Sequence, residues 1–233
     1  MPSNIENNLI TIKNLIRDFE KKYQRKPGSV QLLAVSKGQS IEKIMQALEA
    51  GQRCFGENYL QEALIKIAAL SRLDANKSIE WHFIGSIQSN KTQKIARHFA
   101  WVHSINSSKI ATRLNDQRPE NSPPLNVCIE VNVSAEKNKS GAMLNEILPL
   151  AKFCLTLPKL RLRGLMAIPA DNDDFEYQCG EFHKVFSAWE QLRSQGILLD
   201  TLSMGMTHDF EAAIAEGATI VRIGTALFGE RHS

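Results

Sequence analysis

The sequence lacks most of the motifs that announce an activity. It has no GxSxG nucleophile elbow, no HExxH pair, no phosphate-loop signature and no glycine-rich dinucleotide fingerprint. Its four cysteines, Cys54, Cys128, Cys154 and Cys179, form no CxxC pair and follow no metal-ligand spacing. Three sit among apolar neighbours, as buried thiols of a reducing compartment do. No apolar segment follows the N-terminus, and no run of about 18 apolar residues is present to span a bilayer. The net charge of +3, with both signs interspersed, is too weak to point to nucleic acid or to an acidic membrane surface. These absences predict a soluble cytoplasmic protein with neither kind of partner.

What is present is a long alternation. Residues 4–23 repeat apolar side chains at Ile5, Leu9, Ile12, Leu15, Ile16 and Phe19, the period of a helix. Lys26-Pro27-Gly28 breaks it. Strands then alternate with helices eight times. The strands are predicted at 31–36, 53–55, 81–84, 101–104, 125–133, 161–168, 201–203 and 219–223. The helices follow at 40–50, 58–70, 90–99, 107–118, 144–157, 175–195, 209–216 and 225–228. Near-continuous apolar strands of this kind belong to a parallel sheet covered on both faces. Eight of them close into an α/β (β/α)8 TIM barrel, here with an extra N-terminal helix; a doubly wound sheet is the alternative. At 233 residues, against about 250 for a typical barrel, the chain is expected to be a single domain over residues 1–233.

In such barrels the chemistry sits at the C-terminal ends of the strands. Lys37 lies just past the first strand, where a poorly solvated lysine becomes a usable amine nucleophile; the alternative is a surface lysine at a loop start. Ser203, Gly205 and Met206 after the seventh strand, with Gly224 and Thr225 after the eighth, fit a phosphate cradle of backbone N–H groups and hydroxyls, or else two ordinary glycine turns. Arg222, in the middle of the eighth strand, shares a face with Ile220 and Gly224. It faces either a ligand's ring nitrogen or an internal carboxylate such as Glu57 or Glu230. His82 and His103 lie in strands and read as satisfied core histidines. Asp171, Asp173 and Asp174 read as helix caps, Asp209 as a helix-terminal charge, and Lys137 and Lys139 as solvated or anion-facing.

Seven segments in register then carry a resemblance. Leu33-Ala34-Val35-Ser36-Lys37, Phe55-Gly56-Glu57-Asn58-Tyr59, Trp81-His82-Phe83-Ile84-Gly85, Lys139-Ser140-Gly141, Arg163-Gly164-Leu165-Met166, Ser203-Met204-Gly205-Met206 and Val221-Arg222-Ile223-Gly224-Thr225-Ala226 together resemble the YggS/PROSC family of pyridoxal phosphate homeostasis proteins. The resemblance implies a barrel similar to the alanine racemase N-terminal domain. It implies pyridoxal 5'-phosphate (PLP) as a Schiff base on Lys37, its phosphate on Ser203, Gly224 and Thr225, and Arg222 near the ring nitrogen. Asn58, His82 and Met166 match positions around the cofactor. Thr207 and Gly38 depart from the commoner serine and threonine.

The implied role is control of free PLP and vitamin B6 balance without robust catalysis, with PLP-dependent apo-enzymes as recipients and the chain a monomer. Racemases of this fold use a second base, a tyrosine from another domain. The chain ends soon after the eighth strand, and Tyr23, Tyr59 and Tyr177 do not look placed for that role. The alternatives are a low-turnover PLP-dependent racemase or lyase, and a Schiff-base aldolase acting on a sugar phosphate.

Overall fold

The computed structural model describes residues 4–73, 79–134 and 140–230. Lys137 and Lys139 lie outside the described residues. Eight strands run in the order expected: β1 (Gln31–Val35), β2 (Cys54–Glu57), β3 (Glu80–Phe83), β4 (Trp101–Ile105), β5 (Leu125–Val131), β6 (Leu160–Ala167), β7 (Thr201–Ser203) and β8 (Ile220–Ile223). All pair in parallel, each with its neighbour in sequence, and β8 returns to β1 to close the barrel. Closure pairs every strand on both sides, so the short β7 is held between β6 and β8 without becoming an edge.

The helices are α1 (Asn4–Lys22), α2 (Ile41–Glu49), α3 (Leu60–Leu73), α4 (Thr92–His98), α5 (Ser108–Gln117), α6 (Ile147–Leu155), α7 (Phe175–Ser194), α8 (Phe210–Ala215) and α9 (Thr225–Phe228). Side-chain oxygens mark several starts. Ser40 accepts from the Lys43 N–H, Ser107 from Ile110 and Asp174 from Tyr177, each satisfying a donor that the first turn leaves over. The helix predicted over 144–157 begins instead as a 3-10 turn, Leu144–Glu146. Asp209 carries no capping bond into α8; its Oδ1 accepts from the Met206 N–H at 2.5 Å and pins the loop before it.

The main apolar core lies between the barrel and its helices, with Phe55, Ile95, Ile129, Phe182 and Val221 wholly or almost wholly buried. α1 joins it through Ile5, Leu9, Ile12 and Ile16. Its buried Glu20 accepts from the N–H groups of Gly28 and Val30 and so fixes the entry to β1. Among the described residues no helix is long and apolar enough to cross a membrane.

Candidate functional site

Because all eight strands point the same way, the residues that follow them meet on one rim. A cavity of about 210 Å³ opens there, lined by residues from the ends of β1, β2, β3, β6, β7 and β8. Lys37, Asn58, Met206, Arg222, Gly224 and Thr225 line it, as do Thr207 and His208. His82, Met166, Ser203 and Gly205 are absent from the lining and lie deeper in the strands or loop beneath it. Ser203 is fully buried, with its Oγ bonded to His103 and Arg222.

The loop carrying Lys37 is clamped from α3. Lys66, almost fully buried, donates to the Ser36 carbonyl at 2.6 Å and to Glu57 Oε1 at 2.8 Å, and it also contacts Glu62. Ser36 Oγ donates to the same Glu57 oxygen at 2.6 Å. Glu62 accepts the Gly38 N–H at 2.6 Å. The residues on both sides of Lys37 are therefore tied to one buried ion-pair network. Burial pushes Glu57 above the usual carboxylate range while Lys66 and Ser36 pull it back.

Arg222 is 4% exposed and donates to the Ser203 and Ala167 carbonyls at 2.5 and 2.9 Å. Neither carboxylate considered from the sequence is its partner. Glu57 pairs with Lys66, and no salt bridge to Arg222 occurs among the described residues. Desolvation lowers the guanidinium to about 10, which still leaves it a cation at neutral pH. A buried cation without an ion pair favours an anionic or electron-rich ligand beside it. Asn58 Oδ1 is likewise buried with no hydrogen-bond partner. A Cβ at position 224 would come within 3.2 Å of the Val35 carbonyl, so the glycine keeps the β1–β8 side of the cavity clear. The N–H groups that open α9 have no acceptor inside the helix.

Several of these residues carried little sequence signal of their own. Thr207 entered only as a departure from serine, and His208 only through its neighbour Asp209 at the start of a helix. Lys66 had one usable sign, its i,i+4 spacing from Glu62 in an otherwise apolar stretch of α3.

Barrel and rim together define a protein of the alanine racemase N-terminal-domain class. The family model described as "Alanine racemase, N-terminal domain" matches residues 8–232. The pyridoxal phosphate homeostasis protein of Vibrio alginolyticus is 51% identical over 229 residues, covering 98% of each chain. That of Escherichia coli K12 is 48% identical, covering 98% of this chain and 97% of its own. The structure of PipY from Synechococcus elongatus PCC7942, with PLP bound, superimposes with a TM-score of 0.83 at 33% identity, covering 97% of this chain and all of that one. The chain belongs to the family of pyridoxal phosphate homeostasis proteins.

Proposed function

We propose that this chain binds PLP in the rim cavity, carries it as a Schiff base on Lys37, and takes part in intracellular PLP homeostasis with little or no catalysis of its own. One observation carries the reading: Lys37, the buried Arg222 cation, the unpartnered Asn58 oxygen and the two hydroxyl-bearing turns surround a single cavity. Each suits a part of PLP. The amine suits the aldehyde. Thr207, Thr225 and the N–H groups around Gly224 suit a phosphate. Arg222 only donates, so a ring nitrogen placed against it stays unprotonated.

PLP supplies an aldehyde for the amine and a ring that withdraws electrons from whatever is attached there. The protein's own residues bind it and leave that withdrawal weak, because arginine does not protonate the ring. Tyr23 donates to Glu211, and Tyr59 and Tyr177 are exposed; none lines the cavity, so no tyrosine of this chain stands opposite the lysine as a second base. Of the remaining predicted positions, Gly205 and Met206 shape the phosphate turn, while Ser203, His82 and Met166 support the cavity from inside the barrel. The whole chain serves as one PLP-binding domain. Four free cysteines agree with a reducing cytoplasm, where a monomeric carrier would meet PLP-dependent apo-enzymes.

Borohydride reduction of the PLP-loaded protein, followed by mass spectrometry, tests this reading. The expected adduct is on Lys37 and disappears in Lys37→Ala. An adduct on another lysine of the unmodified chain would overturn the assignment. Lys37-dependent racemisation or elimination at steady turnover would make the protein an enzyme instead.

A further inference from the structure

The inside of the barrel is polar along one line. His103 on β4 meets Ser203 on β7, Nδ1 to Oγ, at 2.8 Å. Those strands are not neighbours, so the contact crosses the interior. His103 Nε2 lies 2.9 Å from His82 Nδ1, and His82 Nε2 lies 2.9 Å from Glu80 Oε1. At the other end Arg222 Nη1 donates to Ser203 Oγ at 3.0 Å. Four hydrogen bonds thus join Arg222 on the cavity wall to Glu80, the first residue of β3, at the opposite end of the barrel.

The ends fix the direction. Arginine can only donate, so Ser203 Oγ accepts and its own proton is left for His103 Nδ1. His103 must then carry its proton on Nε2 and give it to His82 Nδ1. His82 in turn carries its proton on Nε2, facing a carboxylate that only accepts. Every polar atom along the line is satisfied by this one arrangement. A doubly protonated His82 would force His103 to reverse and send two donors into Ser203 Oγ, stranding the hydroxyl proton. Burial, the leading cause, holds both imidazoles below their ordinary value and so in the neutral form the line requires. The hydrogen bond from His82 holds Glu80 low, and therefore charged.

We propose that Ser203, His103, His82 and Glu80 are positioning residues for Arg222: a one-way donor chain that fixes the guanidinium at the cavity wall and couples it to a carboxylate at the far rim. The part concerning the cofactor rests on the reading of that cavity as the PLP site. Other charges are near both ends. Asp209 and Glu130 act on Arg222 through space, and Cys54 lies 3.6 Å from Glu80 while accepting from Gln31. Cys54, Glu80 and His82 bring their ligand atoms within 4.8 Å of one another, and these hydrogen bonds account for the cluster. Trp101 stacks on His82 at 5.2 Å and keeps the ring in plane for its two partners.

The test has two parts. Nitrogen-15 NMR of histidine side chains in the PLP-free protein at neutral pH should find His82 and His103 both protonated on Nε2 alone. In the PLP-loaded protein, Glu80→Gln keeps the shape and an accepting oxygen but removes the charge. It should move the midpoint of the pH-dependent visible absorbance by about half a unit or more, a shift that a merely structural role would not produce. Ser203→Ala, which breaks the line beside Arg222, should move it too. A proton on Nδ1 of either ring, or variant titrations that superimpose on the unmodified protein's, would overturn the proposal. The tautomers are read without PLP, so failure to bind PLP would defeat the proposed function and leave this arrangement standing.

Discussion

Lys66, on the third helix, donates to the carbonyl of Ser36 at 2.6 Å, one residue before the lysine assigned to the cofactor. The contact links a helix on the outside of the barrel to the one peptide whose orientation sets where Lys37 points. The same ammonium, on a side chain 5% exposed, pairs directly with Glu57, which is fully buried, and with Glu62.

Replacing Lys66 with methionine should therefore cost more than a surface ion pair would. Removing one partner of a buried pair typically costs about 3–5 kcal/mol, because the remaining charge keeps its desolvation penalty. Glu57 Oε2 already lacks a partner, which leaves that carboxylate little reserve. Urea denaturation of the PLP-free protein should show the loss, and bound PLP should leave faster. A denaturation midpoint equal to that of the unmodified chain would show that the pair contributes nothing.

Acid should destabilise the protein earlier than carboxylates alone would explain. His82 and His103 titrate near 6.5 when unfolded, and burial lowers both in the folded chain. Below that value the unfolded chain takes up protons that the folded chain refuses. The stability they contribute is complete above pH 6.5 and is lost as the pH falls towards their folded values. The slope is about 1.4 kcal/mol per pH unit for each histidine. Urea midpoints measured from pH 7.5 to 5 should fall, and His103→Gln should flatten the fall. A pH-independent midpoint across that range would contradict the burial of these rings.

The barrel was legible because its signal is repeated. Eight apolar runs separated by helical periods leave few alternatives, and even the three-residue β7 was placed by its position in the series. Boundaries moved by one to three residues where caps and turns decide them, as at Ser40 and Leu144. The rim residues Lys37, Gly224 and Thr225 were legible for the same reason, since each follows a strand, and Arg222 because it is a charge inside an apolar one. Contacts between distant segments were not. Nothing in the spacing of Glu80, His82, His103 and Ser203 shows that strands three, four and seven present these groups to one another across the interior. Lys66 likewise gains its meaning only when α3 packs beside the loop after β1.

Gly205→Ala should damage the turn assigned to the phosphate. The residue has φ +93°, and an added Cβ would meet the Ala213 Cβ at 2.6 Å and the Phe210 Cα at 3.0 Å. Left-handed strain and overpacking each cost about 1–3 kcal/mol. The Gly205 carbonyl also accepts the Arg222 N–H at 2.9 Å, so a shift here reaches β8. We expect a stability loss of about 2 kcal/mol or more and a weaker hold on PLP. Alanine accepted at this position without loss of either would mean that the turn relaxes freely and does not define the site.

Asn58→Ala should separate stability from binding. Its Oδ1 is buried on the cavity wall with no hydrogen-bond partner, and such an atom destabilises the ligand-free fold by about 1–3 kcal/mol. Removing it discards that penalty along with some packing, so the PLP-free variant should melt at or above the temperature of the unmodified protein. Binding should move the other way, because a polar atom left bare in a cavity is satisfied only by what enters it. Calorimetric melting and PLP titration of the same preparation decide the matter. Lower stability with unchanged PLP affinity would make Asn58 a structural residue and remove it from the site.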